Sequence, residues 1–409
     1  MKLIDLKLKN IGPFKEAYLE FINESDSTET PPVICITGEN GTGKSIILDA
    51  IRGMMKGHLS TIKAFQREIT AKDDFLIQTH INIDNKKVIY KSNQKHGNRK
   101  HFSVTPSNIP SLFADTLSSE YKKNFIFDYW SSELSDDSFK INNITALDPK
   151  AYLNNALSGV HKNLDVTKAI SFFDYLKDSR SAKESELGQA LYAILDKIID
   201  LSIEGGKLSH VSRMTLEPII KIGNREVSLD KLSSGNLYLI QRFTSLLSQV
   251  FSICTLNNIP ISDYKKIQGV LLIDEAENHL HPKWQKRFLN NILTLFPRLQ
   301  IIVATHSPFI VTSVKNAKVY VCESQIDHSI VKDETANFSN LPVEEVLLSP
   351  LFDTNSFGTE ISGLLKERKQ AIQDQDQGAV ERIEKELLRL NPQYFDYFNI
   401  DNLLKSMKR

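Results

Sequence analysis

Hydrophobic positions along this chain follow three different rhythms. Near the start they alternate with charged ones, in Leu3, Leu6 and Leu8 against Lys2, Asp5, Lys7 and Lys9. That period predicts a strand over Lys2–Leu8, a turn at Asn10-Ile11-Gly12-Pro13 and a second strand near Ala17–Phe21. Phe75–Ile83 and Lys87–Tyr90 alternate likewise around Asp84-Asn85. With a strand near Lys100–Thr105 they predict a small antiparallel lobe. Elsewhere the apolar runs are short and unbroken: Pro32–Thr37, Phe125–Trp130, Gly269–Ile273 and Leu299–Thr305. Such runs suit strands buried on both faces of a parallel sheet. The third rhythm is helical. It occupies about 150–203, with Ala169, Ile170, Phe173 and Leu176, then Leu187, Leu191, Ile194, Leu195 and Ile198. Gly205-Gly206 ends it, and Leu216–Ile222 against Glu226–Leu229 predicts a hairpin turned on Gly223-Asn224. Residues 340–409 are rich in Glu, Lys, Arg and Gln, with apolar positions at Ile361, Leu364, Leu365, Ile383, Leu387 and Leu390. Two or three amphipathic helices are predicted there, packed on the core or on a partner. The expected architecture is α/β: a mixed sheet, an antiparallel β lobe and a helical lobe in a domain over 1–339, then a helical region over 340–409.

Composition narrows this picture modestly. The 409 residues carry 50 Lys plus Arg and 50 Asp plus Glu, so no global field draws the chain to nucleic acid. Lys95, Arg99, Lys100 and His101, with Lys122-Lys123, are the local basic candidates. Cys35, Cys254 and Cys322 lack metal-ligand spacing and read as reduced thiols. The N-terminus reads as a strand and not a signal peptide, and no apolar run approaches the roughly 20 residues of a membrane helix. A soluble, cytoplasmic protein without membrane attachment is expected.

The chemistry begins at Gly38-Glu39-Asn40-Gly41-Thr42-Gly43-Lys44-Ser45, which fits G-x-x-x-x-G-K-[ST]. An unbroken apolar run precedes it, and a helical run opening at Ile46 follows, as the phosphate-binding loop requires. Glycines let successive backbone N–H groups curl around phosphate oxygens at a helix N-terminus. Lys44 is expected to face the β- and γ-phosphates of a nucleoside triphosphate, and the Ser45 hydroxyl to ligate Mg²⁺. Gly269–Glu275 is an apolar strand ending in two acids, at the sheet edge where α/β sites sit. Asp274 is expected in the Mg²⁺ shell, and Glu275 as the group that orients or deprotonates water. Leu299–Thr305 delivers His306, placed to sense the γ-phosphate or hold the water. Leu232-Ser233-Ser234-Gly235-Asn236, before a helix expected near Leu237, supplies a second anion site. A single nucleotide has no evident use for two such sites on one subunit. Head-to-tail pairing would let each chain present Ser233, Ser234 and Gly235 to its partner's γ-phosphate.

On these residues the chain resembles the soluble ATP-binding-cassette ATPases related to SMC, RecF and OLD proteins. Gly38–Ser45 matches Walker A, Leu232–Gly235 the signature motif and Leu271–Glu275 Walker B. Glu277–Pro282 matches the D-loop and Thr305-His306-Ser307 the switch histidine. The opening Leu6-x-Leu8-x-Asn10-x-x-x-Phe14 resembles the first hairpin of the group. The resemblance implies an ABC-ATPase head that binds ATP and Mg²⁺ at Gly38 through Ile46, hydrolyses ATP and closes as a homodimer or higher homo-oligomer. No long coiled-coil arm fits between Ser45 and Leu232. The glutamine of the family's Q-loop is not assignable: Gln66 and Gln78 are weak candidates, and the better-placed strand ends in Tyr129-Trp130-Ser131-Ser132. Asp374-Gln375-Asp376 could answer the metal ligands of an OLD-type nuclease, but its polar helical context favours a solvated helix face. His279-Leu280-His281 lies in the D-loop and is not expected to bind metal.

The tail resembles that of PtuA-type ATPases, through Pro342–Leu347, Leu351-Phe352, Glu360-Ile361 and the helices after them. Those belong to Septu and retron-linked antiviral systems, in which the ATPase assembles with a separate nuclease. The resemblance implies a nucleotide-gated regulator or scaffold with a nuclease partner docked on 340–409, and no nuclease activity of its own. DNA or a retron RNA–DNA is a further candidate partner. The alternative is a RecF-like DNA-binding ATPase of repair or recombination.

Overall fold

The computed structural model describes residues 1–22, 33–56, 71–83, 86–95, 102–105, 124–159, 161–349, 352, 358–374 and 376–397. The chain forms two compact units, Met1–Val343 and Glu344–Arg409. The expectations at Gln66, Asp84-Asn85, Arg99-Lys100-His101 and Lys122-Lys123 fall outside the described residues.

The first unit is built on one large sheet. Its strands are β1 (Lys2–Leu3), β2 (Asp5–Ile11), β3 (Phe14–Glu20), β4 (Val33–Gly38), β5 (Ala71–Ile83), β6 (Lys86–Lys95), β7 (Phe102–Thr105) and β8 (Ile126–Trp130). A separate three-stranded sheet holds β9 (Gly206–Val211), β10 (Pro218–Ile222) and β11 (Arg225–Ser228). Then come β12 (Gly269–Asp274), β13 (Leu299–Ala304), β14 (Lys318–Ser324) and β15 (Ser329–Asp333) of the large sheet. The large sheet runs β7-β6-β5-β2-β3-β15-β14-β4-β13-β12-β8, with β1 on β5.

At one end of that order, β8, β12, β13, β4 and β14 are all parallel. Four of these, β4, β8, β12 and β13, are the strands with unbroken apolar runs, and every residue of the four is buried. Burial on both faces removes any pressure for alternation. Because the four run in one direction, β4, β12 and β13 all end on the same edge, and the chemistry gathers there. The helix Lys44–Lys56 follows β4 and sends Ile47, Leu48, Ile51, Met54 and Met55 into a core shared with Leu6, Leu8, Phe14, Ile34 and Ile36.

The other end is the antiparallel lobe. In β2, Leu6, Leu8 and Ile11 are buried, and Lys7 and Lys9 pair outward with Glu16 and Asp74 at 3.0 Å each. The expected first strand is split. Ile4 breaks it by donating to the His80 carbonyl and accepting from Phe21 N, so β1 and β2 each pair β5 in their own register. Pairing of Ser329 with Phe14 joins the lobe to the parallel strands.

The helices Asn163–Lys177, Ala182–Ser202 and Ser234–Asn257 carry the helical lobe, with the small sheet beside them. The last of these starts at Ser234, three residues before the expected start. Ser233 is its N-cap, and its side chain accepts from Asn236 N. No helix of the described residues is long and apolar enough to cross a membrane.

In the second unit, Thr359–Gln373, Gln377–Leu390 and Pro392–Phe395 are helices. Their apolar stripe has a destination of its own. Ala371, Ile383, Leu387 and Phe395 are buried together, with Ile361, Leu364, Leu365, Val380 and Leu388 packed against them. Arg368 donates through Nε and Nη2 to Glu384 Oε1 at 2.8 and 2.5 Å, tying the two long helices.

Candidate functional site

The loop between β4 and the helix Lys44–Lys56 curls back on itself. Thr42 Oγ1 donates to the Glu39 carbonyl at 2.8 Å, and Lys44 Nζ donates to the carbonyls of Gly38 at 2.9 Å and Glu39 at 2.7 Å. Gly43 has φ +103, and a Cβ there would stand 2.7 Å from the Phe14 ring and from Pro13. The first hairpin therefore braces the phosphate loop, and only glycine fits at that point. Lys44 is buried. Burial lowers its ammonium below the ordinary lysine range, while Glu277, Asp274 and Glu275 oppose that shift. A cation held this way, among loop carbonyls and acids, can exchange its carbonyl partners for phosphate oxygens.

Across the cavity, Ser45 Oγ donates to Asp274 Oδ1 at 2.7 Å. A hydroxyl and a carboxylate at this distance, both buried, suit a hard divalent cation that takes oxygen ligands. Glu275 is the first residue past β12 and adopts φ +52, in the left-handed region. Asp274 is thus the strand tip, as expected, and Glu275 is a strained residue turning off the strand. Asn278 Nδ2 donates to Glu275 Oε2 at 2.8 Å and aims the carboxylate.

His306 follows β13. Burial, then the nearby Lys44 charge, push its imidazole below the usual histidine range, which favours the neutral ring. Its backbone is clasped by Glu277, whose Oε1 accepts His306 N at 2.6 Å and whose Oε2 accepts Thr305 Oγ1 at 2.5 Å. Burial raises the Glu277 carboxyl above the ordinary glutamate range, against the pull of those two bonds. Ser307 Oγ donates to Gln285 Oε1 at 2.6 Å, and Gln285 Nε2 returns to the carbonyls of Leu280 and Glu277. Three segments far apart in sequence are therefore one hydrogen-bonded assembly.

The resulting cavity, about 200 Å³, is lined by Asn40, Gly41, Gly43, Lys44, Ser45, Ile46, Asp274, Glu275 and His306, with Pro13, Ala304 and Thr305. Gly38, Glu39 and Thr42 shape the loop without lining the cavity. Ser233, Ser234 and Gly235 are not on its wall. Ser233 and Ser234 are exposed, and a Cβ on Gly235 would lie 2.5 Å from the His279 carbonyl oxygen. The signature helix thus starts against the D-loop turn of its own chain.

Glu277, Asn278 and Gln285 are site-building residues that the motif reading did not single out. Glu277 and Asn278 lay inside the D-loop stretch, but nothing local announced their bonds. Gln78 sits in β5, paired with Lys7 and Lys91 in the antiparallel lobe, and is not on the cavity wall. His281 caps the helix Pro282–Leu295, and His279 Nε2 lies 3.2 Å from the Ser132 carbonyl. Asp376 caps the helix Gln377–Leu390, and Asp374 ends the preceding one, bonded by Gln370. Among the described residues no group of three or more His, Cys, Asp or Glu could hold a metal ion.

Comparison with known proteins places this geometry. Residues 33–312 match the family AAA_21, described as "AAA domain, putative AbiEii toxin, Type IV TA system". The match spans more than half of the chain. The chain belongs to the AAA_21 family. This AAA_21 protein is 23% identical to the Septu protein PtuA of Bacillus thuringiensis over 356 residues, covering 84% of this chain and 82% of PtuA. It is 25% identical over 265 residues to the "Retron Vc95 probable ATPase" of Vibrio cholerae serotype O1 biovar El Tor. That alignment covers 63% of this chain and 45% of the retron protein, less than half of the latter's length. Among solved structures it is similar to the SMC head domain from Thermotoga maritima, with a TM-score of 0.46 and 16% identity over 81% of this chain and 99% of that one. The AAA_21 match, the order of the motifs and the parallel sheet with its two lobes identify an α/β P-loop fold of the ABC ATPase type, related to PtuA.

Proposed function

We propose that this chain binds and hydrolyses ATP, and that its nucleotide state gates a separate nuclease in a prokaryotic antiviral system. Support for the ATP chemistry rests on one observation above the rest. Ser45 and Asp274 meet at 2.7 Å in the same cavity as Lys44, Glu275 and His306. The phosphate loop binds the triphosphate, with Lys44 passing from the Gly38 and Glu39 carbonyls to phosphate oxygens. Ser45 and Asp274 are the residues that would hold Mg²⁺, which would supply positive charge against the phosphates. Glu275 takes the proton of the attacking water, with Asn278 holding its carboxylate in line. His306, neutral and positioned by Glu277, donates or accepts one hydrogen bond at the terminal phosphate. Ser233, Ser234 and Gly235, which do not line the cavity of their own chain, complete the site of a second copy.

The defence setting follows from the relationship to the Septu protein PtuA, which runs along most of both chains. Nucleic-acid cleavage needs a metal-bound carboxylate cluster or an activated nucleophile, and the acids of this cavity are committed to ATP. The second unit, 344–409, is the proposed docking element for the nuclease. The test is cleavage of plasmid DNA and RNA by the purified chain, alone and with the polypeptide that co-purifies with it. Cutting is expected only with the second polypeptide and to respond to ATP. Cutting by the chain alone, lost in Asp374→Ala or Asp376→Ala, would overturn the proposal.

A further inference from the structure

The helix that leaves the phosphate loop, Lys44–Lys56, takes a guanidinium into the interior about two turns after Lys44. Arg52 is fully buried. Its Nε donates to the Leu157 carbonyl at 2.7 Å and its Nη2 to the Ser158 carbonyl at 2.9 Å. Its Cζ lies 4.2 Å from the centre of the Tyr129 ring, and Asp49 of the same helix holds Nη1 at 3.2 Å. Leu157 and Ser158 close a short 3₁₀ helix, Ala156–Ser158, and the chain passes from there to the helix Asn163–Lys177 of the helical lobe. On the way the Gly159 carbonyl accepts from Ser131 Oγ, just past β8, at 3.0 Å.

His161 is the next tie along this stretch, and it is buried. Its Nε2 lies 3.2 Å from the Tyr129 carbonyl and its Nδ1 3.0 Å from Ser245 Oγ. A carbonyl only accepts, so Nε2 carries the proton, and in the neutral ring Nδ1 accepts from the Ser245 hydroxyl. Ser245 belongs to the signature helix Ser234–Asn257, about three turns beyond Ser234 and on nearly the same face. Residues 157–161 are therefore bonded on one side to the phosphate-loop helix and on the other to the signature helix. Buried apolar faces can slide past one another, but a buried donor drawn off its acceptor is destabilised, so polar joints of this kind move together. Neither Arg52 nor His161 is on the wall of the phosphate-loop cavity, so each acts through its neighbours. We propose that Arg52 and His161 are positioning residues. They carry a shift of the phosphate-loop helix, made when ATP enters, through residues 157–161 to Ser245. The signature helix then sets Ser233, Ser234 and Gly235 for the partner's ATP. This relay rests on the reading that those three residues complete the site of a second copy.

The test is hydrogen–deuterium exchange of the full chain with and without a non-hydrolysable ATP analogue. It is run in a Ser234→Arg background, which bars a second copy, so that any response comes from within the chain. The analogue is expected to protect the phosphate loop and to change exchange over residues 232–240 about fivefold or more, the lower end of coupling between two sites. In Ser245→Ala and in His161→Leu the loop protection should stay while the response over 232–240 is lost. His161→Gln offers an acceptor and a donor side by side, as the ring does, and should keep the response. Ser245 is half-buried, and Arg242 holds the same helix through the Ser131 and Glu133 carbonyls at 2.8 and 2.7 Å. Ser245→Ala therefore stays folded and decides the question where His161→Leu does not. With Ser234 restored, Ser245→Ala should lower kcat about fivefold at an unchanged KM for ATP. Loop protection without a response over 232–240, a full response in Ser245→Ala, or a His161→Gln as silent as His161→Leu would each overturn the relay. Absence of loop protection would overturn the ATP reading itself, and the relay with it.

Discussion

Glu277→Ala removes the clasp on His306 while leaving the phosphate loop intact. The carboxylate accepts the His306 amide at 2.6 Å and the Thr305 hydroxyl at 2.5 Å. Thr305 is fully buried, so its hydroxyl, like the amide, has no water to turn to. A bond to a charged acceptor contributes about 1.5–3 kcal/mol. Taking about 2 kcal/mol as the cost of holding His306 in place, at 1.36 kcal/mol per decade, kcat is expected to fall about 30-fold. ATP affinity should not fall. Glu277 is not on the cavity wall, and its negative charge acts on Lys44, so its loss favours the triphosphate slightly if at all. Glu277→Gln is the control, because Gln Oε1 can accept the His306 amide while Nε2 donates to Thr305 Oγ1. It should keep most of the rate. The assay is steady-state phosphate release with a parallel binding titration of a fluorescent ATP analogue. A Glu277→Ala enzyme with the wild-type kcat, or a Gln variant as slow as the Ala one, would refute the clasp.

Two further outcomes follow from other parts of the structure. Ser234→Arg should abolish ATP-dependent association, seen as equal masses with and without ATP by light scattering, while single-chain ATP binding persists; an ATP-induced mass increase like that of the wild type would remove the composite site. Asp128 is fully buried, beside Arg242 and bonded by Trp130 Nε1 at 3.0 Å and by its neighbour Tyr129 N at 2.9 Å, and burial pushes its carboxyl up from 3.8 to about 7. Between those values the folded chain holds a proton that the unfolded chain has released, so this group's contribution to stability falls as pH rises. Asp128→Asn should remove that fall: the stability of wild type relative to the variant drops from pH 5 to pH 7.5 in denaturant titrations, and a constant difference would contradict it.

The parallel strands and the phosphate loop were legible because their causes are local. Burial on both faces writes β4, β12 and β13 as unbroken apolar runs, and phosphate binding needs glycines and Lys44 within one short loop. The alternation in β2 likewise reports one buried face. What the sequence hid depends on partners distant along the chain. Glu277 earns its place through Thr305 and His306, and Gln285 through Ser307, pairings that no periodicity encodes. Asp274 was legible as the strand tip, but the left-handed backbone of Glu275 was not, because an acid after an apolar run looks the same whether it continues the strand or turns off it. The signature helix began early because Ser233 caps it, and a Ser-Ser-Gly run offers three possible caps. The stripe on the tail helices suggested an outside surface to cover. In the structure, Leu387, Ile383, Ala371 and Phe395 bury one another within that unit.

The central claim is that Lys44, Ser45, Asp274 and Glu275 form one ATP-hydrolysing site, and a paired measurement of ATP binding and turnover tests it most directly. Lys44→Ala is expected to lose ATP binding altogether. Glu275→Gln is expected to bind ATP as tightly as the wild type while its turnover falls by roughly 10²-fold or more, the scale of a lost general base. Full turnover by Glu275→Gln, or undiminished ATP binding by Lys44→Ala, would contradict the account.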